Sequence, residues 1–395
     1  MTDSLTALRV MALITMATFI GFYLFYLLIC LVFKRAKQGR KSVLPATKDL
    51  PKVSILIPTY NEARVISQKI ENFKLLDYPR DKLEAVFVDG GSTDGTADLI
   101  ENLARKSKLS IRLIRQSYRK GFNRAVIEGF SETTGDAICI TGAETEYDKE
   151  ALKLLVGHFS DPGIGAVTGR LEIKNIQDGY APKLESAYRG LYDLVRMAES
   201  NIDSPFDIKG EISAVRRSVL RHLVEEPRLQ QRGAIDTCIS FQAKMDREKT
   251  DYEPRAVYYE LSPTSIHDSF KQGTRRAAAL IENMMTFKTM IFNRRFGAFG
   301  MLIMPSHFLM LTLLPFVLTA GVAAIALLMA FDPSNYLLAA ILLAATFAIV
   351  LSKPLQAFLK TQLVLIIATL GLFFRIETQT FDTQTFERIS SARPD

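Results

Sequence analysis

Apolar and polar positions divide the chain into three zones. In the first, residues 8–33 form a nearly continuous apolar run, "LRVMALITMATFIGFYLFYLLICLVF", whose only charge is Arg9. A run of this length predicts a helix that can span a bilayer. In the third zone, residues 301–331 and 336–352 predict two more spans around the turn "DPSN" at 332–335. Residues 355–374 predict a third span there, which carries Lys360. The middle zone, residues 52–285, is built differently: short apolar runs alternate with amphipathic segments. The runs at 52–58 ("KVSILIP"), 82–90 ("KLEAVFVDG"), 111–116 ("IRLIRQ") and 136–142 ("DAICITG") predict strands. Between the first two, Val65, Ile66, Ile70 and Phe73 recur at helical spacing, and residues 91–106 and 121–134 predict further helices. Strand alternating with helix predicts an α/β unit whose mainly parallel sheet is covered on both faces.

Charge orients the first span. It is followed at once by "KRAKQGRK", residues 34–41, with five basic residues. Such a flank predicts the cytoplasmic side and contact with anionic lipid headgroups. A cleaved signal peptide is the competing reading, but the run exceeds the usual h-region and no small-residue cleavage pattern follows. The stretch at 286–300 predicts an amphipathic interfacial helix. The expected layout is an anchor at 8–33, a cytoplasmic domain at 52–285, the interfacial helix, and a membrane region of about three helices at 301–374. The expected location is the membrane, the plasma membrane in particular. Four spans would put both termini outside, whereas Arg375, Arg388 and Arg393 in the tail favour the inside. The two tendencies oppose each other.

Composition removes several function classes. The net charge is +7, and the basic run beside the first span holds five of the positive charges. No aromatic-basic RNA motif occurs, so nucleic acid is not an expected partner. Cys30, Cys139 and Cys238 show no CxxC spacing, and the four histidines are scattered, which supports neither a disulfide framework nor a zinc site. A transporter would need more ionisable groups in its spans than Lys353 and Lys360.

Ligands of open α/β sheets gather at the carboxyl ends of the strands. Those ends read Pro58-Thr59-Tyr60-Asn61-Glu62, Asp89-Gly90-Gly91-Ser92-Thr93-Asp94 and Gly142-Ala143-Glu144. Asp89 precedes two glycines that allow close backbone approach. Ser92 and Thr93 are candidate caps for the next helix, with Asp94 in its first turn. A tight turn with a cap and a ligand-binding loop both fit this pattern. Glu144 offers one carboxylate for a divalent metal.

The segments "VSILIPTYNE", "AVFVDGGSTDGT", "TTGDAICITGAET", "IGAVTGRLEIKN", "GEISAVRRSVL", "AIDTCISFQA" and "QGTRR" occur in this order. Together they resemble the family-2 glycosyltransferases, inverting enzymes of GT-A fold that use nucleotide sugars. The membrane frame resembles the cellulose and hyaluronan synthase branch; "RKGFNRAVIEGFSETTGD" is closer to the polyprenyl-phosphate mannose synthase branch. The resemblance implies a sugar transfer from a nucleotide-sugar donor to a lipid-linked or growing glycan acceptor at the cytoplasmic face. It implies that Thr59, Tyr60, Glu62, Asp89 and Ser92 hold the nucleoside. It places the family's D-x-D metal motif on Gly142-Ala143-Glu144, leaving Glu144 to serve Mg²⁺ or Mn²⁺. It makes Asp236, in "AIDTC", the general base. The Q-x-x-R-W motif falls on Gln272, Arg275 and Arg276, where Arg275 would steady the diphosphate and Arg276 replaces the tryptophan of the acceptor site. Gly210 matches a glycine at the acceptor mouth, with Glu211 beside it. Gly90, Gly142 and Arg276 depart from the family pattern, and the chain has no tryptophan. These departures motivate the rival expectation of a non-catalytic relative that binds nucleotide or glycan and scaffolds a membrane assembly.

Overall fold

The computed structural model describes residues 2–34, 49–226, 235–332 and 336–374. Most of the basic run after the first span, Ala234, and the arginines of the tail lie outside the described residues.

Eight strands form one mixed sheet in the order β3-β2-β1-β4-β7-β6-β8-β5. The strands are β1 (Val53–Thr59), β2 (Leu83–Asp89), β3 (Ser110–Arg115), β4 (Ala137–Ile140), β5 (Glu146–Tyr147), β6 (Ile164–Ile173), β7 (Ser213–Arg216) and β8 (Lys249–Glu260). The first four run parallel, as the apolar runs predict. β7 lies antiparallel between β4 and β6, and β8 runs parallel to β6. The chain order therefore reverses between β1 and β4, which lie side by side. This is where an open α/β sheet leaves a crevice beyond its strand ends.

Both sheet faces are covered. Val53, Ile55 and Ile57 of β1 pack with α2 (Ala63–Leu75), α3 (Thr96–Lys106) and α5 (Ala151–Gly157). Leu56, Val86, Val88 and Ile138 point the other way, into a core shared with α4 (Phe122–Glu132), α7 (Arg217–Glu225) and α8 (Ile235–Met245). Alternation along a strand sends successive side chains to opposite faces. The second core continues through Met284, Met290, Phe296 and Phe299 into the start of an apolar helix. The soluble layer and the apolar helices thus share packing.

Between β6 and β7 lies a 23-residue helix, α6 (Tyr180–Ile202). It packs on α1 (Thr2–Phe33) and on the last helix, α12 (Lys353–Phe373), which also packs on α9 (Ile266–Thr286). Among the described residues three helices are long and apolar enough to cross a membrane: Ser4–Phe33 within α1, α10 (Phe299–Phe331) and α12. The apolar run after the "DPSN" turn forms α11 (Tyr336–Leu351), whose 16 residues fall short of the roughly 20 a spanning helix needs.

The stretch expected as one interfacial helix is not a continuous helix. α9 runs to Thr286, and two single 3₁₀ turns follow, Lys288–Met290 and Arg294–Phe296. Phe292 and Gly297 adopt left-handed backbone angles, which break the helical path on either side of the second turn. Burial of Met290 and Phe296 in the second core holds the segment.

Candidate active site

The ends of β1 and β2 are register partners, Thr59 beside Asp89, so their loops leave the sheet together. The loops are tied by hydrogen bonds. Asp89 is buried; one carboxylate oxygen accepts from the N–H groups of Gly91 and Ser92, and the other from Ser92 Oγ at 2.5 Å. Ser92 Oγ accepts from the Asn61 N–H, and Asn61 accepts from the Thr93 N–H. Asp94 accepts from Ala63 N–H across the two loops and from Thr96 N–H within its own. Burial alone would raise the Asp94 carboxyl, but these bonds and that from the Thr96 hydroxyl outweigh it and hold it below the usual range. Ser92 and Thr93 do not cap α3. Its N-cap is Gly95, at φ 86°, and Asp94 lies before the helix. Ser92, which pattern alone offers as a cap, spends its side chain on joining the two loops, and Thr93 joins them through its N–H. Thr59 is buried at the end of β1, and Tyr60 lies under the Arg119 guanidinium, 4.4 Å from the ring centroid. A flat ring and a cation at a strand end make a platform for a planar, negatively charged ligand. Glu62 sits in the same loop, its N–H donating to the Thr96 hydroxyl.

After β4 the chain turns through Thr141–Thr145. Beneath this loop lies Lys69 of α2, fully buried, its ammonium donating to Thr141 Oγ1 at 3.0 Å and the Thr145 carbonyl at 2.5 Å. Burial lowers Lys69 to about 7, against the opposing pull of Glu144 and Glu146. The helical pattern gave no sign of this lysine's role, because position 69 continues the apolar stripe next to Ile70. Glu144 folds back over Gly142: a Cβ on Gly142 would lie 2.6 Å from a Glu144 carboxylate oxygen. The space that the family's first aspartate would use is thus filled by the second residue's side chain.

The third part of the site is assembled from β7, α8, β8 and α9. Gly210 lies directly against Asp236, and a Cβ there would meet its carboxylate oxygen at 2.3 Å and its Cβ at 2.4 Å. Arg276 of α9 pairs with Glu211 at 3.3 Å and Glu260 at 3.4 Å. Burial raises the Glu260 carboxyl, with Glu211, Glu144 and Glu185 adding to it against Arg276. Glu144, Glu211 and Glu260 therefore share one electrostatic neighbourhood. Tyr147 donates its hydroxyl to the Glu211 carbonyl at 3.0 Å, pinning the Glu144 loop to the Gly210 loop. Gln272 is buried one turn before Arg276 on α9, and Arg275 adjoins Arg276 in the chain. The residues expected for metal, base and acceptor thus converge, while those expected for the nucleoside cluster at the neighbouring strand ends.

Residues 54–224 match the family model for glycosyl transferase family 2. They are a family-2 glycosyltransferase domain. The domain is 37% identical over 131 residues to the probable glycosyltransferase YdaM of Bacillus subtilis, covering 32% of this chain and 31% of that one. The chain is 23% identical over 256 residues to the poly-beta-1,6-N-acetyl-D-glucosamine synthase of Staphylococcus epidermidis, covering 62% of this chain and 59% of that one. The chain thus spans from about a third to under two thirds of these relatives. Among solved structures it is similar to the mannosyltransferase PcManGT of Pyrobaculum calidifontis, in complex with GDP-Man and Mn²⁺. The TM-score is 0.78 and the identity 28%, over 94% of this chain and all of that one. The GT-A-like fold of the glycosyltransferase domain, flanked by helices apolar enough to cross a membrane, is as the motif series implied.

A divalent ion fits the donor set of the glycosyltransferase domain only sparsely. Among the described residues no group of three metal-ligating side chains occurs. Glu144 supplies one hard carboxylate, which suits an ion such as Mg²⁺ that takes most of its ligands from phosphate and water.

Proposed function

We propose that the chain is a membrane-embedded inverting glycosyltransferase. It moves a sugar from a nucleotide-sugar donor to a lipid-linked or glycan acceptor at the cytoplasmic face. The observation that carries this reading is the seat of Asp236, held against Gly210 beside the Glu144–Glu211–Glu260 neighbourhood. Similarity to a mannosyltransferase seen with GDP-Man and Mn²⁺ supports both a nucleotide sugar and a divalent ion.

In this reading Thr59, Tyr60, Glu62, Asp89 and Ser92 hold the nucleoside, with the ring of Tyr60 against the base. Arg275 and Gln272 steady the diphosphate. Gly210 and Arg276 border the acceptor. Asp236 takes the proton from an acceptor hydroxyl as that oxygen bonds to the anomeric carbon. The bond from that carbon to the diphosphate breaks, and the nucleoside diphosphate leaves with the electron pair. A Mg²⁺ or Mn²⁺ ion on Glu144, when bound, supplies charge to neutralise that leaving group. The layout is an anchor at 8–33, the catalytic unit at 52–285, a lipid-contacting segment at 286–300 and a membrane region at 301–374. The protein would sit in the plasma membrane.

A second reading, a non-catalytic relative that binds nucleotide or glycan and scaffolds a membrane assembly, draws on Gly142 and the buried Lys69 under the same loop. Calorimetry of GDP and UDP binding, with and without Mn²⁺, separates the two on wild type and Glu144→Ala. The enzyme reading expects Mn²⁺ to tighten nucleotide binding in the wild type only. Binding that ignores Mn²⁺ in both proteins would favour the scaffold.

A further inference from the structure

Beside the Asp236 seat, on the side facing the apolar helices, lies a cluster of cations that the proposed transfer does not use. Arg189 and Arg196 project from α6, and Lys209 comes from the segment just before Gly210. All three surround one ring, Tyr192, with charge centres 5.8, 5.5 and 6.0 Å from its centroid. Arg189 also feels Arg276. Four carboxylates are interleaved with these cations. Arg189 pairs with Glu185, Arg196 and Lys209 share Asp207 at 3.2 and 3.5 Å, and Arg276 holds Glu211 and Glu260.

The internal pairing is incomplete. Arg189 Nε, Arg196 Nε and the Tyr258 hydroxyl are buried, and none has a hydrogen-bond partner among the described residues. Arg196 is 2% exposed and Tyr258 0%. Tyr258 lies within electrostatic reach of both arginines. The two Nε atoms are donors, and the phenol can donate as well as accept. A buried donor left unpaired costs on the order of 1–3 kcal/mol, more when charged. Three in one cluster ask for an acceptor from outside the chain. Neutral sugar hydroxyls would be expected to meet mixed donors and acceptors. Two guanidinium donors beside a phenol able to donate match phosphate oxygens.

The cluster also has an approach from the membrane side. Tyr192 is 36% exposed, and α6, which carries it, packs against α1 and α12. The facing parts of those helices are polar for segments of this kind. Tyr23 of α1 accepts from Gln362 of α12 at 3.3 Å, and Lys360 of α12 donates to Ser269 of α9.

We propose that Arg189, Arg196, Lys209 and Tyr258 form a binding site for the phosphate group of a membrane lipid, whose chain lies along α1 and α12. This deepens the proposed function and rests on it in one respect: it makes the acceptor a sugar carried on that lipid phosphate. Lys209 precedes Gly210, so a phosphate at the cluster sets the attached sugar beside Asp236. The carboxylates Glu185 and Asp207 orient the cations and keep the empty site from repelling itself.

The test uses the full chain in detergent, without donor or metal, titrated calorimetrically with farnesyl phosphate, farnesol and inorganic phosphate. Farnesyl phosphate should bind at least about 10-fold more tightly than either control, since both the chain and the charge contribute. Arg189→Gln and Lys209→Met should each weaken it by about 10- to 100-fold, the range for hydrogen bonds to charged groups, while Arg189→Lys recovers part of the loss. Gel filtration and circular dichroism identify any variant that fails to fold; Lys209→Met, at the edge of the cluster, is the one expected to fold as the wild type. Asp236→Asn should bind farnesyl phosphate like the wild type. Equal affinity for farnesol would overturn the phosphate assignment, and equal affinity for inorganic phosphate would overturn the lipid. Folded variants that bind unchanged would overturn the site itself. GDP and UDP binding on the same samples keeps the two ideas apart: a protein that binds farnesyl phosphate but neither nucleotide would sink the enzyme reading and leave this site standing.

Discussion

Replacing Gly210 by alanine should separate catalysis from donor binding. The new Cβ would stand 2.3 Å from an Asp236 carboxylate oxygen, 2.7 Å from its Cγ and 2.4 Å from its Cβ. The oxygen could swing away, but the Cβ is fixed to the backbone at the first turn of α8. Carbon atoms need about 3.5 Å, so the loop at 209–211 or the start of α8 must move by roughly 1 Å. Overpacking of this kind costs about 1–3 kcal/mol of stability. A shift of about 1 Å in a reacting group costs about 10²-fold in rate, or about 2.7 kcal/mol in the barrier. The nucleoside residues sit on β1 and β2, on other elements, and should not feel it. The assay is the initial rate of nucleoside diphosphate release from the donor, beside calorimetric GDP or UDP binding on the same preparation. A folded Gly210→Ala protein turning over within about threefold of wild type would refute the claim that this contact sets the position of Asp236.

Asp236→Asn should lose about 10²-fold or more in transfer rate, as expected on removing a general base, with nucleotide affinity nearly unchanged; both are read in one series of rate and binding measurements. Gly142→Asp should tighten Mn²⁺ binding in the presence of nucleotide, because the clash at 2.6 Å is with the free end of Glu144, which can swing aside to make a pair of carboxylates; calorimetry showing weaker binding would count against Glu144 as a ligand. His158 is held between Asp251 at 3.0 Å and Glu253 at 3.1 Å; burial opposes its protonation, but the bonds to those two carboxylates prevail and raise it to about 9. Its stabilising effect is therefore complete below about pH 6.5, the unfolded value, and is lost as pH rises towards 9. Thermal midpoints of wild type measured from pH 6 to 9.5 should fall more steeply than those of His158→Gln.

The legible parts of this molecule were those written locally. Runs such as Val53–Thr59 and Ala137–Ile140 are apolar, short and bounded by turn residues, so strand identity and the parallel half of the sheet followed from period and alternation. The antiparallel insertion of β7 between β4 and β6 was not legible, because partner choice among distant strands leaves no local period. The helical period of α6 is carried by Glu185, Tyr188, Arg189, Tyr192 and Arg196, polar and aromatic side chains that apolar periodicity does not register. Lys69 escaped for the opposite reason, being a charge at an apolar position whose partners, Thr141 and Thr145, come from a loop more than seventy residues away. The stretch at 286–300 is broken into turns by the left-handed backbone at Phe292, which residue type at that position does not signal. Arg276 looked like a loss of an aromatic platform. Its pairing with Glu211 and Glu260 gives it instead a fixed place at the mouth of the Asp236 seat.

The central claim, a sugar transfer centred on Asp236, is tested most directly by donor turnover. The full chain in detergent or nanodiscs is incubated with a panel of GDP- and UDP-sugars and Mn²⁺, and release of nucleoside diphosphate is followed with and without membrane lipid extract. At least one donor should be consumed, faster with lipid present, and consumption should fall by about 10²-fold or more in Asp236→Asn. Consumption at equal rates by wild type and Asp236→Asn would contradict the account, as would no consumption of any donor by a protein that still binds GDP or UDP.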